Sequence, residues 1–364
     1  MYEHQGLQDI CFIMLYGGAT MSAIMACLYL LLARGNAFSP VIKAPTELRR
    51  WAAAFMATVA ASHVWWVVLG IYWLVDDRLI RNIVAITLDR VTFVPLMMCV
   101  LVRMLQDRQR KLWPIAVAMV PFLVTAVVSM VTRSDAFEWY VEGYSLLLGI
   151  TFLIYYIRAL RQYGRWLHDN YADLQHKEVW QSLVLLSCIL LVYVAYTTNE
   201  GALATEYLAQ VLTLVIIAFV VWRVETLQTL DVGSSVESPT VSPINIGALL
   251  KDYCEATQLY LRHDINLQQL AIIIGTNRTY LSNYFAQQGI TYNAYINRLR
   301  IDHFMHLYRD AAADSRPVTA MKLSQQSGFS NYNTFAAAFK RFVGTTVTEW
   351  VQQEDAKEKI IEKT

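Results

Sequence analysis

Two stretches near the C-terminus, NRTYLSNYFAQQ at 277–288 and NYNTFAAAFKRF at 331–342, decide how this chain folds. Each opens on Asn, whose side chain can accept a hydrogen bond from the first turn of a helix. Each also places two large apolar residues at i, i+4, Leu281 with Phe285 and Phe335 with Phe339, so that one helix face turns inward. Ahead of the first stretch, Leu267, Leu270, Ala271 and Ile274 have helical spacing and stop at Gly275; ahead of the second, 319–326 stops at Gly328. A short helix, a glycine turn and a second helix with a polar outer face form a helix-turn-helix, and here the unit occurs twice. Between them 292–308, with Tyr295 and Leu299, predicts a longer connecting helix.

With these residues in view, roughly 248–352 resembles the DNA-binding domain of the AraC/XylS family of bacterial transcription regulators. The likeness lies in LxxLA at 267–271, YLSNYF at 280–285, Gly289, Tyr295, Arg300, GFSNYNTFAAAFKRF at 328–342, and Gly344. It implies two helix-turn-helix units on a linking helix, and double-stranded DNA as the partner. The chain departs from the family at Val347 (usually proline), Phe304 (usually alanine) and Leu323-Ser324 (usually Ile-Ala), changes of packing and turn rigidity. It departs also at 336–338, three alanines where the family often carries long side chains on the second recognition helix.

Charge favours a local DNA surface although the net charge of the whole chain is only +1. The stretch 276–300 holds Arg278, Arg298 and Arg300 without an acid, and 316–341 holds Arg316, Lys322, Lys340 and Arg341 without an acid. Arg278, Lys340 and Arg341 are candidates for phosphates, and Thr279, Ser282, Asn283, Tyr332 and Asn333 for base edges, since Asn can pair bidentately with adenine. His303 and His306 lie at i, i+3 without a third ligand and read as surface histidines, so no metal site and no cofactor is expected.

Upstream of this domain, 231–243 (DVGSSVESPTVSP) reads as a linker. Before it the composition changes: 56% of the whole chain is hydrophobic and 16% charged, and the charges thin out over the first 244 residues. Seven apolar stretches suffice to cross a bilayer, near 10–33, 51–75, 82–104, 112–131, 138–160, 179–198 and 203–225. No Lys or Arg precedes the first, which therefore reads as an anchor and not a cleaved signal. The domains expected are 1–227, a seven-transmembrane helical bundle; 228–245, a linker; 246–355, the double helix-turn-helix; and 356–364, a tail. The fold class is all-α.

Lys and Arg collect in alternate loops: twelve follow spans one, three and five, and three, Arg78, Arg81 and Arg133, lie on the opposite side. By the positive-inside rule this puts the N-terminus outside and the C-terminal domain in the cytoplasm of a bacterial inner membrane. A covalent retinal is excluded, because the lysines before residue 250 are Lys43, Lys111 and Lys177, all in inner loops. Asp89-Arg90 falls in the outer half of span three, away from the cytoplasmic end where the Asp-Arg pair of G-protein-coupled receptors works. The five cysteines form no CxxC pair and read as reduced packing residues.

Polar stripes mark the outer halves of the spans: Glu138, Glu142 and Ser145; Glu206, Gln210 and Thr213; Tyr193, Tyr196 and Asn199; and, singly, His63, Asp89 and Arg90. Such groups face protein or a water-filled cavity. Two readings stand level: a sensing pocket for a small molecule, built from His63, Asp89, Arg90, Glu142, Tyr196 and Glu206, or interhelical glue. No HExxH, GxSxG or phosphate-binding motif points to an enzyme. The resulting expectation is a membrane-embedded one-component transcription regulator. The alternatives are a transporter or intramembrane enzyme carrying a regulatory domain, or a sensor of a partner membrane protein. An apolar seam through Val220, Leu227 and Leu230 suggests a homodimer contact.

Overall fold

A computed structural model describes residues 7–33, 35–38, 44–70, 78–174, 177–198, 203–230, 245–314 and 318–361. Among these the chain is helical, with no β-strand. It forms two compact units, 1–163 with 176–232, and 164–175 with 233–364.

The first unit holds α1 (Leu7–Leu32), α2 (Thr46–Gly70), α3 (Arg78–Arg103), α4 (Trp113–Val117), α5 (Val120–Thr132), most of α6 (Glu138–Asn170), α7 (Gln181–Thr198) and α8 (Leu203–Thr226). α1 packs on α2 and α8, α2 on α3 and α8, and α7 on α8. Small residues allow the close approach: Ala19 and Ala23 of α1 and Ala52 and Ala53 of α2 are fully buried. Large apolar residues face out instead, among them Met14, Met21 and Leu32 of α1, Val127 and Val131 of α5, and Leu147 and Ile154 of α6. Phe55, Met56, Leu101 and Tyr156 are buried between the helices as in any bundle, but an outward face this rich in large apolar residues is foreign to a helix bundle in water.

Among the described residues, six helical stretches are long and apolar enough to cross a membrane. The expected fourth span is two helices, α4 and α5, each with proline in its first turn, where the missing N–H leaves no bond unmade. The expected sixth span coincides with the 18-residue α7, in which the side chains beyond Leu190 lie outside the described part. α6 runs 33 residues, ten past the expected end of its span.

The second unit comprises α9 (Ile246–Leu250), a π-turn and a 3-10 turn through Leu261, then α10 (Leu267–Ile273), α11 (Arg278–Gln287), α12 (Tyr292–Ala313), α13 (Ala320–Gln326), α14 (Tyr332–Val343) and α15 (Val347–Ile361). Residues 164–175 belong to it as well. Its core has two parts. One, mostly aliphatic, gathers Leu250, Leu267, Leu270, Leu281 and Ile296 with Phe285 and Tyr292. The other is aromatic: Phe304, Phe329, Phe335, Phe339 and Trp350.

Candidate functional site

The first helix-turn-helix is built by local chemistry. Asn266 caps α10 through a reciprocal capping box with Gln269, and Leu267, Leu270 and Ala271 turn inward. The turn needs a left-handed residue and has Gly275 at φ 73°. Asn277 then caps α11, its side chain accepting from the Tyr280 N–H at 2.8 Å. Leu281 and Phe285 are buried as their spacing predicts, which leaves Thr279, Tyr280 and Asn283 exposed and Ser282 half-buried. Arg278, at the first position of α11, has its Nε–H donating to Asn170 Oδ1 at 2.8 Å.

The second unit repeats the plan. Thr319 caps α13, Gly328 makes the turn at φ 94°, and Asn331 caps α14 by accepting from the Asn333 N–H at 2.7 Å. A Cβ at Gly328 would sit 2.9 Å from the backbone of Leu261, so the turn tolerates no side chain. Asn333, Ala337, Lys340 and Arg341 are exposed, and the half-buried Tyr332 packs its ring on Phe335 at 5.6 Å. Lys340 and Arg341 lie in the last turn of α14, where the helix dipole favours cations. Arg316 lies outside the described residues, while Lys322 and Arg298 are exposed on α13 and α12.

Arg300 does not join this surface. It is 1% exposed, its Nε–H and Nη2–H donating to the carbonyls of Tyr260 and Arg262, each at 2.7 Å, with its guanidinium over the Phe329 ring. Burial lowers it to about 10, which still leaves it charged at neutral pH. It is a brace between the halves, and the local positive charge rests on the exposed Arg and Lys. The departures from the family pattern are packing changes: Phe304 fills the aromatic core with its ring 4.5 Å from Phe335, and the Ser324 hydroxyl donates to the Met321 carbonyl at 2.7 Å.

Residues 270–353 match the family model described as a helix-turn-helix domain. The C-terminal unit carries an AraC-type helix-turn-helix domain. The chain is 29% identical over 98 residues to an uncharacterized HTH-type transcriptional regulator of Staphylococcus aureus (strain MRSA252), covering 27% of this chain and 12% of that protein. It is 31% identical over 75 residues to the HTH-type transcriptional activator RhaR of Salmonella heidelberg (strain SL476), covering 21% of this chain and 25% of RhaR. The chain thus spans a quarter or less of the length of these relatives. No solved structure matches it. Within the AraC-type domain His303 lies on α12 with its Nδ1 3.4 Å from the Tyr260 hydroxyl.

In the first unit the structure brings together part of the expected polar pocket. His63 is buried on α2, its Nδ1–H donating to the Val59 carbonyl at 2.8 Å and its Nε2 3.0 Å from Gln210 Oε1 of α8. The Tyr16 hydroxyl of α1 donates to the His63 carbonyl at 2.8 Å. Beside it, Asp89 of α3 accepts from Ser62 Oγ at 2.6 Å and from Trp66 Nε1 at 2.7 Å. Arg90 instead lies over the Phe122 ring of α5, at 6.0 Å. Glu142 and Glu206 are half-buried on α6 and α8, and the side chain of Tyr196 lies outside the described part.

A second polar cluster was not anticipated from sequence. At the far end of α8, the fully buried Glu225 pairs with Arg49 Nε at 3.2 Å and accepts from the Tyr29 hydroxyl at 3.2 Å, while the Asn36 amide donates to its carbonyl at 2.6 Å. Gln106 then holds Gln228 and Leu230 through their backbones, each at 2.9 Å. Glu225 lies at the end of the apolar α8 and Arg49 at the start of α2, so the sequence marks each as a charge at the end of an apolar helix. The proposed dimer seam, Val220, Leu227 and Leu230, is buried within this same unit. A homodimer would therefore need a different surface.

Proposed function

We propose that this protein is a one-component transcription regulator of the bacterial cytoplasmic membrane. Seven spans hold it with the N-terminus outside, and the AraC-type domain binds DNA from the membrane surface. The observation that carries the reading is the coexistence, in one chain, of a DNA-binding domain with helices that bury alanine and expose large apolar side chains. Outward apolar area on this scale belongs against lipid. The charge alternation between spans supplies the orientation. Reporter fusions test it: residue 230 should report cytoplasmic and residue 201 periplasmic, and a periplasmic signal at 230 would remove the account.

On the DNA, Thr279, Ser282 and Asn283 of α11 read bases, with Tyr332 and Asn333 opening α14 as secondary readers. Arg278, Lys340 and Arg341 contact phosphates. The outer cluster of His63, Asp89 and Gln210 is the sensing site for a small polar ligand, and the sequence adds Arg90, Glu142, Tyr196 and Glu206 as further candidates for it. The bonds between α2, α3 and α8 support this, since a ligand that competes for them shifts the helices against one another. Asp89→Asn and Glu206→Gln keep shape and remove charge. If both variants insert normally and transcription still responds fully to its inducing condition, these groups are structural and the sensing role falls.

A further inference from the structure

One feature of the second unit has no part in the function described so far. The last turn of α6 and the residues after it, Trp166 to Asp173, cross the face of the helix-turn-helix domain and touch the N-terminal end of three of its helices. Tyr171 pairs through its backbone with Asn266, the cap of α10. Asn170, 6% exposed, takes the Nε–H of Arg278 at the start of α11, and the Trp166 ring lies 6.0 Å beneath the same guanidinium. The Asp173 carboxylate accepts a hydrogen bond from the hydroxyl of Ser330, the residue before the cap of α14. Between these points Ala172 is 1% exposed and packs into the aliphatic core. Its carbonyl accepts from the amides of Asn293 at 2.7 Å and Asn297 at 3.4 Å, both on α12.

The surface so covered has a definite chemistry. In a helix-turn-helix the N-terminal residues of the recognition helix meet base edges, and helix N-termini, Arg, Ser and Asn take the phosphate oxygens. Arg278 and Ser330, at the mouths of α11 and α14, are donors of this kind, and here each donates to an oxygen of the segment, while the buried Asn293 and Asn297 of α12 anchor it. The Asp173 carboxylate occupies, at the mouth of α14, the place of an anion. A carboxylate and a DNA phosphate cannot share it.

We propose that residues 166–173 and duplex DNA compete for Arg278 and Ser330 at the starts of α11 and α14, so that the structure is the DNA-free state of the regulator, with its base-reading side chains exposed and its anchoring donors taken. The inference rests on the DNA-binding reading above. Because α6 begins at Glu138 in the first unit and ends in this segment, the element that releases the surface is α6, independent of the linker at 231–243.

The test uses the full chain in lipid nanodiscs, with Asp173→Cys and Ser330→Cys combined, since these two side chains touch. Binding of a fluorescent random-sequence duplex is measured at low salt, where phosphate contacts dominate. The wild-type chain, oxidised in parallel, controls for the native cysteines. Crosslinking, verified by mass spectrometry, should weaken binding by about tenfold or more, with recovery on reduction. A crosslink that forms and leaves affinity unchanged overturns the proposal, as does a pair that fails to crosslink in the DNA-free chain. Ala172→Trp, which displaces the segment from its socket, should tighten binding by about tenfold. Weaker binding with a lower melting temperature would make the segment a brace that the domain needs, and the proposal would fall. If the reduced pair, the wild type and Ala172→Trp all leave the duplex unbound at low salt, the DNA-binding reading itself fails, a result distinct from the others.

Discussion

The two helix-turn-helix halves of the C-terminal unit share a backbone plan and differ in almost everything laid over it. Both begin their recognition helices on asparagine, Asn277 and Asn331, and both turn on a left-handed glycine, Gly275 and Gly328. The first is built mostly on leucine and isoleucine around Phe285 and Tyr292, the second on four phenylalanines and a tryptophan. Outside, α11 exposes Thr279 and Asn283, while α14 exposes Ala337 in its middle and Lys340 and Arg341 at its end. Caps and turns therefore fix the motif, because they satisfy backbone groups that no core residue reaches. Core chemistry is interchangeable so long as volume is conserved. What remains variable is the outward side chains, and the proposed division between a reading helix and a holding helix rests on them.

The comparison can be broken most severely at Phe304. The family usually carries alanine there, yet in this chain the aromatic core has closed around the ring. Phe304→Ala should destabilise the second half by about 3–5 kcal/mol through the cavity it leaves. Hydrogen exchange of the full chain would show α12 to α14 losing protection while α10 and α11 keep theirs; uniform loss would mean that the halves are not separate cores. Gly328→Ala is next, at roughly 1–3 kcal/mol for a left-handed non-glycine residue, with the collision against Leu261 added. Gly275→Ala, which has no such neighbour, should cost less, and equal melting shifts for the two would discount the contact. The surface contrast is sharpened by a pair of changes. Asn283→Ala should cost about 1–3 kcal/mol at the preferred site and little on random DNA. Arg341→Ala should weaken all sequences alike and reduce the salt slope by about 1. Identical effects on sequence preference would abolish the division between a reading helix and a holding helix.

The parts legible in the sequence are those whose cause is local. Asn277, Gly275 and the Leu281–Phe285 pair lie within eleven residues of one another, and each acts on its own turn of helix. The long apolar helices are legible for a related reason: apolar composition over some twenty residues is enough to mark them. What escaped reading depends on partners far apart in the chain. Ala172 meets Asn293 across 121 residues, and alanine in a polar loop carries no periodicity to announce its burial. Glu225 and Arg49 are each visible as a charge beside an apolar helix, but their pairing is set by how α2 and α8 pack. Of the residues read into an outer pocket, His63 and Asp89 bond to neighbouring helices through Gln210 and through Ser62 and Trp66. Arg90 follows Asp89 directly yet points to another helix, because successive residues on a helix project about 100° apart.

The brace at Arg300 has a further consequence for the nucleic acid. Its bonds to the Tyr260 and Arg262 carbonyls, together with the close approach of the Gly328 backbone to Leu261, tie the two halves to each other. The recognition helices then behave as the jaws of a fixed caliper. Inserting one base pair between two subsites rotates one against the other by about 35° and separates them by about 3.4 Å. Protein of this stiffness cannot follow, so the duplex must untwist or bend to meet both jaws. The energy of doing so depends on base steps that no side chain touches. Part of the operator's identity is then written in the mechanical compliance of its spacer.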